Sequence, residues 1–181
     1  MRKIFLLVIV LGAVMVMPDQ ALAQQNAVKI NIFSPIFKTI NVSYERALTD
    51  ASSFQLGFYY TGASVSSLNY SGMGITPEYR FYLSETPAPA GFYVAPFLRY
   101  QSVKLTIDES TSEGKFSAFG GGVVIGKQWV FKQRITLDMF IGPAYNSGKV
   151  KVTNGSEDEF DLSGAFDGFG IRTGLTLGVA F

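Results

Sequence analysis

The stretch FGIRTGLTLGVAF, residues 169–181, decides the fold. Phe169, Ile171, Thr173, Leu175, Leu177, Val179 and Phe181 fall on one face of a strand. Gly170, Arg172, Gly174, Thr176, Gly178 and Ala180 fall on the other, because strand side chains alternate. The first face is almost wholly apolar; the second is small or polar and carries a charge. A soluble sandwich would turn the second face to bulk water, where glycine serves poorly. A small membrane barrel places small and polar residues in its crowded interior and apolar ones toward lipid. The sequence stops at Phe181, a bulky aromatic in phase with the strand, where a soluble domain commonly frays into a polar tail.

The same alternation recurs upstream. Apolar sets include Val28, Ile30 and Ile32; Ile40, Val42 and Tyr44; Phe54, Leu56, Phe58 and Tyr60; Ile75, Pro77, Tyr79, Phe81 and Leu83. Further along come Phe92, Val94, Pro96, Leu98 and Tyr100, then Ile135, Leu137, Met139, Ile141 and Pro143. In the glycine-rich stretch 116–129 the faces are less distinct, and Phe119, Val123, Ile125 and Trp129 are placed outside. The pattern predicts eight strands over 27–33, 38–48, 53–63, 71–83, 91–107, 115–131, 134–152 and 168–181. Several exceed the roughly 9–11 residues that cross a bilayer. The expected fold class is an all-β, eight-stranded antiparallel up-and-down transmembrane barrel. Pro77, Pro96 and Pro143 lack the N–H of a ladder, so each should mark a bulge or an interrupted pair. Longer polar connections are expected after strands three, five and seven (ASVSSLNYS, DESTSEG and TNGSEDEFDLSGAFD), on the side away from the termini. Tyr44, Tyr60, Tyr79, Phe92, Tyr100, Trp129 and Tyr145 fall toward strand ends, as aromatic girdles do.

The first residues, MRKIFLLVIVLGAVMVMPDQALAQQ, read as a secretory signal peptide. Arg2 and Lys3 give a basic start, Ile4–Met17 an apolar run, and Ala21-Leu22-Ala23 a cleavage site. The run is short for a membrane span, and Pro18 and Asp19 break it. The expected division is a signal peptide, 1–23, and a barrel domain, 24–181. Removing Arg2, Lys3 and Asp19 from 15 basic and 14 acidic side chains leaves 13 of each, a net charge of zero. That gives no basic excess for a nucleic-acid partner. After the leader no apolar run approaches the about 18 residues of a transmembrane helix. Cysteine and histidine are both absent. That removes disulfides, most transition-metal sites and nearly all nucleophile–base pairs.

The alternation, the leader and the C-terminal aromatic resemble small eight-stranded outer-membrane barrels of the OmpA/OmpX type. More narrowly, KINIFSPIFKTINVSYERAL (29–48), GITPEYRFYL (74–83) and GFYVAPFLRYQ (91–101) are similar to a family of uncharacterised barrels from Bacteroidota, described as a domain of unknown function. The resemblance covers nearly the whole mature chain. It implies residence in the bacterial outer membrane, with lipid around the wall. It also implies that Leu177, Val179 and Phe181 form a C-terminal signal read by the barrel-assembly machinery. Barrel enzymes of the phospholipase, lipid A deacylase, palmitoyltransferase and omptin kinds rely on a histidine that this chain lacks.

Seven charged residues share the inward parity: Lys29, Glu45, Glu78, Arg80, Arg99, Asp138 and Arg172. An eight-stranded interior is just wide enough for side chains, and a buried charge must be paired or hydrogen-bonded. These residues are therefore expected to form an ion-paired plug rather than a pore or a catalytic site. Glu45, Glu78 and Asp138 are not expected to act as paired catalytic carboxylates, since a filled lumen leaves no sugar-sized gap. The glycines at 120–122 precede no Gly-Lys-Ser/Thr pattern and read as room for large neighbours. GSEDEFD (155–161) lacks the spacing of a calcium loop and reads as a solvated outer loop. No catalytic residue, metal or cofactor is expected. The functional expectation is a structural or surface-interaction barrel whose outer loops meet an extracellular partner. The alternatives are a small pore for solutes and a soluble lipocalin-like barrel with an apolar ligand.

Overall fold

The computed structural model describes residues 25–65, 68–107, 112–154 and 168–181. The expected signal peptide, 1–23, the acidic stretch 155–161 and residues 66–67 and 108–111 lie outside them. Eight strands form one closed antiparallel barrel in sequence order. They are β1 (Asn26–Asn31), β2 (Thr39–Thr49), β3 (Ser52–Val65), β4 (Leu68–Tyr82), β5 (Gly91–Ile107), β6 (Ser112–Phe131), β7 (Ile135–Asn154) and β8 (Gly168–Ala180). A 3-10 turn, Ser34–Phe37, joins β1 to β2. β1 pairs with β8, and the closure extends one residue further: Phe181 N–H donates to Asn26 O at 2.9 Å and Asn26 N–H to Phe181 O at 3.1 Å.

The register fixes the shape. Followed across the wall from Ala27, it passes Glu45, Gln55, Glu78, Phe97, Gly122 and Ala144 to reach Gly170. The β8 partner of Ala27 itself is Ala180, so the stagger around the barrel is ten residues, 180 less 170. With strands about 4.8 Å apart and a rise of about 3.3 Å per residue, that stagger tilts the strands by roughly 40° and gives a wall radius of about 8 Å. Such a lumen holds side chains and little else.

Every strand turns its apolar face outward. Phe58, Ile75, Leu98, Ile125, Met139 and Ile141 are all exposed at mid-height. Two aromatic rings bound this band. Tyr60, Tyr100, Phe119, Tyr145 and Phe169 stand toward the loop end; Phe54, Phe81, Phe92, Trp129, Phe131 and Phe181 stand toward the termini. Tyr145 packs edge-on against Phe169 at 5.0 Å between ring centroids. At a rise of about 2.5 Å per residue along the axis, the rings lie roughly 20 Å apart.

The prolines interrupt pairs without shifting register. β4 and β5 keep one register from Ile75↔Tyr100 through Glu78↔Phe97 to Phe81↔Val94, with gaps flanking Pro77 and Pro96. Each proline still pairs on its other side, Pro77 with Leu56 and Pro96 with Val123. Pro143 pairs with Ile171 and leaves a gap toward β6. The register shifts lie elsewhere, at Ala47/Thr49 and Glu113/Gly114.

The expected loop lengths need correction. ASVSSLNYS is mostly ladder: Ala63↔Tyr70, Ser64↔Asn69 and Val65↔Leu68 are paired, leaving residues 66–67 between β3 and β4. DESTSEG likewise contributes to β6, which begins at Ser112. Serine, threonine and asparagine are frequent in turns, yet here they sit in ladders, so polar composition did not mark the strand ends there. The long connection expected after β7 falls on residues 155–167, outside the described residues.

Inside, aromatics lie over cross-strand glycines. Tyr59 is paired with Gly74, Tyr93 with Gly126, Phe97 with Gly122 and Phe140 with Gly174. A Cβ on Gly174 would enter the Phe140 ring, whereas one on Gly170 would meet nothing within 4 Å. Gly174→Val should therefore lose about 1–3 kcal/mol of unfolding free energy through overpacking. Gly170→Val should stay within about 0.5 kcal/mol of wild type. Denaturant unfolding in detergent compares them; equal losses would show that the aromatic–glycine fit does not set the tolerance.

Candidate functional site

The lumen holds the chain's concentrated polar chemistry among the described residues. Strand parity turns Lys29 (β1), Glu45 (β2), Glu78 and Arg80 (β4) and Asp138 (β7) inward, and all five are buried. Lys29 Nζ lies 2.5 Å from Glu45 Oε2 and 3.3 Å from Asp138 Oδ2. Arg80 Nε meets Glu78 Oε1 at 2.7 Å, and its Nη1 meets Asp138 Oδ2 at 2.9 Å and Glu45 Oε2 at 3.6 Å. Arg172 of β8 extends the set, with Nη1 2.5 Å from Glu78 Oε2. Two cations and three carboxylates thus share one layer, and a third cation caps it.

Uncharged groups complete the layer. Tyr82 OH donates to Glu45 Oε1 and Tyr93 OH to Asp138 Oδ1, each at 2.7 Å. Ser53 Oγ also donates to Glu45. Gln128 Oε1 accepts from Lys29 at 2.7 Å and from Arg80 at 3.1 Å. The Arg80 guanidinium lies over the Tyr93 ring, 4.2 Å from its centroid. Such charge-assisted bonds satisfy buried ions whose desolvation is otherwise costly. The charge-based reading overlooked Tyr82, Tyr93 and Gln128 as members. Parity alone places Tyr82 and Tyr93 inward, but Gln128 sits in the glycine-rich stretch where the faces are indistinct.

Arg99 stands apart. It shares the inward parity, yet among the described residues no carboxylate lies within ion-pair distance of it, and its Nε has no hydrogen-bond partner. Leu177 and Phe181 project outward at the β8 end nearest the termini, with Val179 between them. The carboxylates Glu45, Glu78 and Asp138 all hold bases, which leaves none of them facing an open substrate cleft. A concavity along Phe92, Ile125, Met139 and Ile141 is almost wholly apolar. Its one charged side chain is Lys127, with Nζ 4.4 Å from the Phe92 ring centroid and 5.2 Å from that of Trp129.

The layer has a testable signature. Removing one member of a buried pair costs about 3–5 kcal/mol. Asp138→Leu and Arg80→Met should each fall in that range. The double variant leaves Lys29 with Glu45 and Arg172 with Glu78, so it should recover about 1–3 kcal/mol against the sum of the singles. A double-mutant cycle by denaturant unfolding reads this; strict additivity would show that Arg80 and Asp138 are not coupled.

Comparison with known proteins adds the following. The N-terminal barrel domain of Pseudomonas aeruginosa OprF is similar at 15% identity over 87% of this chain and 98% of that one, with a TM-score of 0.45. Acinetobacter baumannii CarO is similar at 11% identity over 91% of this chain and 99% of that one, with a TM-score of 0.42. CarO2 of the same organism gives 11%, 90%, 99% and 0.39 respectively. No ligand or role passes to this chain at that level of likeness. No curated protein matches the chain. The family of proteins of unknown function DUF3575 matches residues 5–155, and this chain, with its closed barrel and charged lumen, belongs to that family.

Proposed function

We propose that this chain is a non-enzymatic outer-membrane barrel with a sealed lumen, serving a structural or surface-interaction role through its outer loops. The carrying observation is the outward band of Leu98, Ile125, Met139 and Ile141, bounded by aromatics on both sides. Its height suits the about 25 Å apolar belt of outer-membrane barrels. In water, a band of this kind encircling the molecule would drive association. The lumen supports the sealed reading, because Lys29, Arg80, Tyr93 and Gln128 meet across its centre. A lipocalin-like reading needs an apolar interior, and this interior is charged.

Further features fit a membrane setting. Lys104 and Lys115 are cross-strand partners beyond the loop-end aromatic ring, both exposed. Exposed lysines at that height suit a surface of anionic lipid headgroups. In this account residues 1–23 direct export and are removed. Leu177, Val179 and Phe181 address the chain to the assembly machinery, and outer-membrane lipid is its constant partner.

Three experiments test the reading. The native protein should fractionate with the outer membrane, and its gel mobility should change on boiling. In planar bilayers the folded protein should give no resolvable channel events. Recovery in the soluble periplasm would overturn the membrane assignment, and discrete conductance steps would overturn the seal. Phe181→Ser keeps the backbone closure with Asn26 while removing the aromatic. Its outer-membrane yield should fall severalfold while the purified variant still refolds in detergent; an unchanged yield would remove Phe181 from the assembly signal.

A further inference from the structure

Above the ion-paired layer, toward the loop end, the lumen encloses a second polar space. It is a cavity of about 70 Å³. Arg99, Arg172, Gln55, Tyr59, Thr76 and Thr176 are among its lining residues. One water occupies about 30 Å³ in the liquid, so the space takes two waters or one small ion. Three observations bear on what fills it.

The first is charge. Among the described residues, seven charged side chains point into the lumen, four of them cations and three carboxylates. All three carboxylates already bridge Lys29, Arg80 or Arg172. Arg99 is the surplus cation. The second is placement. Arg99 and Arg172 share this cavity and flank one ring, with guanidinium carbons 5.8 Å and 4.3 Å from the Phe97 centroid. Two like charges in one narrow space favour an anion between them. The third is the lining. Gln55 Oε1 and Thr176 Oγ1 are buried without partners, as is Arg99 Nε. A hydroxyl turns freely, and an amide presents either end, so both can donate to an occupant.

We infer that this cavity binds one small monovalent anion, of halide or formate size, between Arg99 and Arg172. Arg99 supplies the uncompensated charge, and Gln55 and Thr176 complete the donors. Water satisfies the polar atoms but not the charge. The paired layer beneath closes the cavity on the side of the termini, which makes it a binding pocket rather than a path. The inference needs the closed barrel and no particular membrane, so its failure is separable from that of the proposed function.

The test is to crystallise the folded mature barrel in bromide and collect anomalous data. The expected result is a bromide peak within hydrogen-bonding reach of the Arg99 and Arg172 guanidinium groups, lost in Arg99→Gln. In parallel, the melting temperature of wild type in detergent should rise in chloride over gluconate at equal ionic strength, and that rise should vanish in Arg99→Gln. If Arg99→Gln fails to fold, Thr176→Val should retain the fold and weaken the bromide peak. Water density alone at the site, or a peak undiminished in every folded variant, would overturn the inference.

Discussion

Arg80 holds the centre of the lumen. Its Nε meets Glu78, its Nη1 meets Asp138, and its guanidinium lies over Tyr93. A guanidinium buried among strands is tolerable only when its charge is answered, even though Nη2 here has no hydrogen-bond partner among the described residues. Glu78 and Asp138 answer it, and each is held by a second cation, Arg172 and Lys29 respectively. Six residues from five strands are thereby tied together. A slip of one residue in any of those strands would send its charge into the outward apolar face. The network thus couples register, closure and interior polarity.

The outer wall obeys the complementary constraint. A barrel this narrow cannot enclose its large apolar residues, so they face outward and need an apolar surrounding. Lumen aromatics are accommodated by opposing glycines, which explains much of the glycine in strands that would otherwise be weakened by it. Gly126 and Gly174 exist to admit Tyr93 and Phe140. The same logic reads the glycines at 120–122: Gly120 and Gly122 face inward against Asn146 and Phe97, and no phosphate loop is formed.

Much of this was legible in the sequence because a strand's period is two. Charges such as Lys29, Glu78 and Arg172 mark the inward phase unambiguously when their neighbours are large and apolar. The strand ends on the loop side were less legible. Ser64, Asn69 and Ser112 look like loop residues while sitting in ladders. Within the site, partners were hidden for a different reason. Parity says that Lys29 and Glu45 share an interior, but which acid meets which base depends on the ten-residue stagger, which no local pattern encodes. Arg99 illustrates this: it has the same signature as Arg80, and only the three-dimensional register shows that the carboxylates are spent before they reach it.

The claim that the wall faces lipid rests on the outward band, and the chain offers a direct probe. Trp129 is its one tryptophan and sits in the ring near the termini. Refolded into vesicles of phospholipids brominated at graded acyl depths, Trp129 should be quenched most by shallow bromines. A tryptophan moved to the middle of the band, Ile141→Trp with Trp129→Phe, should be quenched most by the deepest. Quenching of both by aqueous iodide, with no dependence on bromine depth, would contradict the account.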